Sequence, residues 1–81
     1  MEFDYSKLRG RIVEKYRTIT AFAEELGIAV QTISAKLNGE IGITKTETLT
    51  WCELLDISIE ELGVYFFTKK VYNSKLSNGE V

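Results

Sequence analysis

Hydrogen-bonding side chains that break no covalent bonds are concentrated between residues 31 and 38. Gln31, Thr32, Ser34, Lys36 and Asn38 fall within eight positions and supply an amide pair, two hydroxyls, a cation and a second amide. That set can read the donor and acceptor edges of a polar partner. Bond-breaking chemistry has far less to work with. The chain has no histidine, which removes the commonest general base and the commonest metal ligand. Its one cysteine, Cys52, cannot close an intrachain disulfide or build a zinc site. A Ser/His/Asp or Cys/His nucleophile system is impossible, and 81 residues leave little room for a substrate cleft. No catalytic role, no cofactor, no metal and no small-molecule substrate are expected; binding is the default.

The elements that must carry these side chains are short helices. Tyr5, Leu8, Ile12 and Tyr16 make one apolar stripe on a first helix, with Asp4 able to cap its start. Gly10 inside it costs about 1 kcal/mol relative to alanine. A second helix runs from about Thr20 to Leu26, with Thr18 or Thr20 as cap and Gly27 as its left-handed stop. A third starts near Val30 and ends at Asn38-Gly39. Thr44-Lys45-Thr46-Glu47 has capping-box spacing and opens a fourth helix, whose inner face is Thr48, Trp51, Cys52 and Leu55. Ser58-Ile59-Glu60-Glu61 has the same spacing and opens a fifth helix that should reach about Tyr65.

At 44% hydrophobic and 27% charged, the composition is that of one globular domain. The longest apolar run, Val64-Tyr65-Phe66-Phe67, is far short of the roughly 18 residues a membrane span needs. No signal peptide is legible, so no membrane partner is expected and the expected location is the cytoplasm. Residues 1–72 are read as the domain and 73–81 as a disordered tail. Residues 66–72 have strand-like composition and stand between two readings. Either they extend and pair, with the same segment of a second subunit as one possible partner, or Phe66 and Phe67 cap the bundle and the rest frays. Net charge is −2, yet residues 1–18 carry five basic side chains against three acidic. An acidic chain can still present a basic face.

Helices two and three are short and joined through Gly27, the arrangement of a helix-turn-helix. Thr20-Ala21-Phe22-Ala23-Glu24-Glu25-Leu26-Gly27-Ile28 followed by Ile33-Ser34-Ala35-Lys36-Leu37-Asn38-Gly39 resembles the motif of phage Cro and repressor DNA-binding domains. Leu54-Leu55-Asp56-Ile57-Ser58-Ile59-Glu60-Glu61-Leu62 resembles that family's junction between helices four and five. The resemblance covers roughly residues 5–65. Lys36-Leu37-Asn38-Gly39 and Tyr65-Phe66-Phe67 look most like short Cro-like proteins of phages infecting Gram-positive bacteria. It implies an all-α, five-helix repressor-like domain with a short extended or disordered C-terminal tail. It also implies a sequence-specific transcriptional regulator, homodimeric, that places its third helix in the major groove of double-stranded DNA.

At 100° per residue, Val30, Ile33 and Leu37 face the body, while Gln31, Thr32 and Ala35 lie opposite. Gln31 is expected to bond adenine N6 and N7, the alternative being solvation. Thr32 meets a base edge or a phosphate. Ala35 touches a thymine methyl or is small only to allow close approach. Val30 stands where relatives often carry a polar base reader, so it is either core or a thymine-methyl contact. Ser34 and Asn38 flank the helix as phosphate contacts, and Asn38 can equally cap it. Lys36 departs from relatives that are apolar there; its stem is expected to cover the core rim while its ammonium reaches a phosphate. Thr18 and Thr20 either meet the DNA backbone or serve as a plain cap. Ala29 lacks a cap oxygen, leaving the first amides of helix three for phosphate or water. Glu24 and Glu25 read as a wet face, with contact to RNA polymerase as the functional alternative. A protein-binding adaptor or antitoxin on the same scaffold, without DNA binding, is the competing reading.

Overall fold

Apolar residues three and four apart become buried faces in the computed structural model, which describes residues 3–69. Five α-helices follow in order: α1 Ser6–Tyr16, α2 Ile19–Leu26, α3 Val30–Leu37, α4 Lys45–Leu55 and α5 Leu62–Phe66. A 3-10 turn, Ile59–Glu61, leads into α5. The described residues hold no strand, so the all-α, five-helix expectation stands. Leu8 and Ile12 of α1, Phe22 and Ala23 of α2, Ile33 and Leu37 of α3, and Trp51, Cys52 and Leu55 of α4 are buried together with Ile57 and Phe66. Trp51 sits at their middle, edge-on to Phe22 with ring centroids 5.2 Å apart and tilted against Phe66 at 6.3 Å. Such edge contacts suit the ring quadrupoles and add to the area buried.

Local chemistry sets the ends. Thr18, not Thr20, caps α2, because its hydroxyl accepts from the Ala21 amide at 3.0 Å, and the helix therefore begins at Ile19. Gly27 closes α2 at φ 72°, a conformation that strains any side chain with a Cβ. The Thr44 box forms as its spacing demands: Thr44 accepts from the Glu47 amide at 3.1 Å, and Glu47 accepts from the Thr44 amide at 2.9 Å. Asp4, the expected cap, stands one residue before the observed N-cap Tyr5, its Oδ1 accepting from both the amide (2.8 Å) and the hydroxyl (2.6 Å) of Ser6. The fifth helix starts later than expected, at Leu62. The 3-10 turn in front of it rises about 2.0 Å per residue instead of 1.5 Å. That longer reach carries the chain from buried Ile57 to where Leu62 and Phe66 meet the core.

The stretch from residue 66 onward divides. Phe66 belongs to α5 and is buried, so it serves the core and not an extended segment. Lys69 forms an antiparallel bridge with Phe3, and the Asp4 amide donates to the Thr68 carbonyl at 2.7 Å. The partner found for the extended backbone is the chain's own N-terminal residues. Phe67 packs edge-on against Phe3 at 5.7 Å, which covers part of its ring. Positions 70–72 of the expected extended segment and the expected tail at 73–81 lie outside the described residues.

Candidate nucleic-acid interface

Packing against α2 fixes which side of α3 is available. Ile33 is fully buried and Leu37 nearly so, and Val30 is half-buried against the same core. Gln31 on the opposite side is exposed, with Thr32, Ser34 and Ala35 half-buried around it. The helix thus offers one long amide side chain among small ones, a shape that can approach a surface closely. Ala29 supplies no side-chain oxygen to the start of α3; its carbonyl takes the Thr32 and Ile33 amides at 3.0 and 3.3 Å. At the start of α2, Thr18 is occupied as the cap while Thr20 and Arg17 are exposed. Arg17 stands at φ 75°, an uncommon conformation for a side chain with a Cβ, in the two-residue link between α1 and α2.

Asn38 is exposed at the end of α3, and its Oδ1 accepts from Arg9 Nη2 at 3.1 Å. This bond ties α3 to α1 and uses the amide oxygen of the exposed Asn38, whose amide nitrogen is a further donor.

Lys36 is the correction. Its ammonium is expected outside, on a phosphate, yet the residue is only 7% exposed. Nζ donates to the Gly42 carbonyl at 2.9 Å and to Glu47 Oε1 at 3.0 Å. The physical reason is Glu47. The capping box fixes a carboxylate beside the C-terminal end of α3, and a buried ammonium with two acceptors is far more stable than one without. The signal was present in the sequence, as a lysine at a core-rim position with a box glutamate 11 residues on. Burial alone would raise the Glu47 pKa, but the Thr44 amide and the Lys36 ammonium outweigh it and hold the carboxyl below its ordinary value. Cys52 goes the other way, burial pushing its thiol up.

Other cations are also engaged internally. Arg11 Nε and Nη2 donate to the Leu55 and Asp56 carbonyls at 2.8 and 2.9 Å, across the C-terminal end of α4, and Nη1 meets Glu14 at 3.3 Å. Lys15 lies 3.5 Å from Asp56. Sequence spacing does not reveal these partners, since the Leu55 and Asp56 carbonyls and the Asp56 carboxylate are more than 40 positions away. Among the described residues, Lys7, Arg17, Lys45 and Lys69 are exposed with no ion-pair partner. No grouping of acidic, cysteine or histidine residues there fits a metal ion, and no helix is long and apolar enough to cross a membrane.

The family model described as "Protein of unknown function (DUF739)" matches residues 1–69. Among solved structures, the modulator of repression (MOR) of the temperate bacteriophage TP901-1 from Lactococcus lactis is similar, at 36% identity and a TM-score of 0.73. The match covers 89% of this chain and 97% of that one. A comparison with curated proteins finds no match.

Proposed function

The chain belongs to the DUF739 family, and from that membership and its likeness to a phage modulator of repression we propose a regulator that contacts double-stranded DNA through α3. Regulation in a phage setting is the part the relative's name supports. The groove contact is carried by one observation: Gln31 is exposed on a helix whose opposite face is sealed in the core. In this reading Gln31 pairs with an adenine edge, and Thr32, Ala35 and the outer edge of Val30 lie along neighbouring bases. Thr18, Thr20, Ser34 and Asn38 bond phosphates through hydroxyls, backbone amides and the free amide nitrogen. Lys36 has no part in it. One short helix reads few base pairs, so two copies on a two-fold site would be needed for specificity, with half-sites about 34–36 Å apart.

The competing reading, a protein-binding regulator on the same scaffold, draws on a different observation. Arg9, Arg11, Lys15 and Lys36 are all held by intramolecular bonds, so α1 and α3 offer little free positive charge. Selection of random duplexes on the full-length protein, with sequencing of the bound fraction, separates the two. A recovered palindrome supports DNA reading by a dimer. Recovery of no preferred sequence, alone or at low salt, overturns the α3 assignment and puts protein binding first.

A further inference from the structure

Away from α2 and α3, the turn after α4 leaves an open cleft of 670 Å³. Leu49 and Cys52 of α4 form one wall, and Ile57 and Ile59 on the way into the 3-10 turn form the other. Glu53 and Asp56 stand in the lining, and no cation is among its residues. Ile59 is 72% exposed and Leu49 51%, a large apolar exposure for residues that flank the same depression. Walls so open cannot enclose a small molecule, which needs most of its surface covered. They fit the side chains of a polypeptide laid along the cleft.

The geometry points to a docking site for a cationic amphipathic helix of another protein, apolar side chains between Leu49 and Ile59 and lysines or arginines toward Glu53 and Asp56. Charge selects this occupant. Glu53, and Glu60 next to Ile59 in the chain, have no ion-pair partner among the described residues, and the Asp56 carboxylate meets only the exposed Lys15 at 3.5 Å, while its carbonyl accepts from Arg11. A second copy docked face to face would set carboxylate against carboxylate, which is destabilising. A second copy docked by α1 would bring Arg9, Arg11 and Lys15, which already serve intramolecular bonds, and Lys7 as the single α1 cation without an ion-pair partner, too little charge for three carboxylates. A helix with apolar residues at i, i+3, i+4 and i+7 and basic residues around them meets both requirements. The cleft contains no residue assigned to DNA, so the site is independent of the function proposed above.

Two synthetic 18-residue helical peptides with identical leucine positions, one otherwise lysine-rich and one glutamate-rich, test this on the full-length protein. Backbone amide shifts map the contact, and titration gives the affinity. The lysine peptide is expected to move the signals of Leu49, Glu53 and Ile59 and to bind at least tenfold tighter than the glutamate peptide. Glu53→Lys and Ile59→Ser, both at exposed positions, should each weaken it at least fivefold. Glu24→Gln with Glu25→Gln, an acidic pair on α2, should leave it unchanged. Equal binding of the two peptides, shifts confined to other surfaces, or equal loss in the α2 variant would overturn the assignment. So would concentration-dependent self-association that moves the same signals without peptide.

Discussion

A lysine seldom goes inside without a fixed counter-charge, and Lys36 has two acceptors waiting. Lys36→Met keeps the stem but leaves the Gly42 carbonyl without its donor and Glu47 without its cation. Urea denaturation is expected to show a loss of about 1–3 kcal/mol, the range for an interaction with a partly buried charge. The pH profile carries a second signature. Because Glu47 titrates below its ordinary value in the folded chain, its contribution is complete above the ordinary carboxylate range and disappears as pH falls through the lowered value. Stability should therefore drop on the acid side of about pH 4.5, and less steeply in Lys36→Met than in the wild type. Identical acid limbs would contradict the pairing. Gln31, in contrast, is exposed and belongs to the proposed DNA contact. Gln31→Ala should leave the melting temperature within a degree or so, yet cost about 1–3 kcal/mol on a selected duplex and almost nothing on a scrambled one. Equal losses on both duplexes would remove its base-reading role.

At the level of helices, Arg11 joins α1 to the end of α4. Its guanidinium bonds the Leu55 and Asp56 carbonyls, which the helix itself leaves unpaired, and Asp56 there sits at φ 60°. Replacement by methionine preserves the apolar stem and should destabilise the fold by about 1–3 kcal/mol in denaturant titrations. Lysine should rescue only part of this, since one ammonium does not reproduce the planar two-point geometry. A wild-type midpoint for Arg11→Met would show that the carbonyls find water equally good. This clamp also marks where sequence reading stops. The helix start at Thr44 and the inner faces of α1, α3 and α4 were legible, and the cap of α2 was narrowed to Thr18 or Thr20, because caps and 3.6-residue periodicity are local. The partners of Arg11 and Lys36 depend on which helix ends meet in space, and no spacing within one helix records that. The late start of α5 escaped for a similar reason: the capping spacing at Ser58 is local, but the distance the chain must cover to bring Phe66 inside is not.

For the molecule as a whole, charge placement outweighs charge count. Net charge is −2, and the cations in α1 and α3 mostly serve the protein's own carbonyls and carboxylates. If DNA is bound, few phosphates per chain can be neutralised, chiefly by Lys7, Arg17 and Lys45. The slope of log K against log salt should then be no steeper than about −3 per chain, where each neutralised phosphate contributes about −0.9. A slope near twice that would mean that the internal pairs break on binding. A different property follows from the bridge between Phe3 and Lys69 and the bond from Asp4 to Thr68. They bring the two ends of the described fold side by side, so its backbone is nearly a closed ring. A short glycine-serine linker from Lys69 to Phe3 would complete that ring, and new termini between exposed Glu40 and Ile41 would reopen it without cutting a helix. Such a circular permutant should fold with all five helices and melt within several degrees of the parent by circular dichroism. Failure to fold would mean that the order in which the chain is joined matters to this domain, and not only which surfaces finally touch.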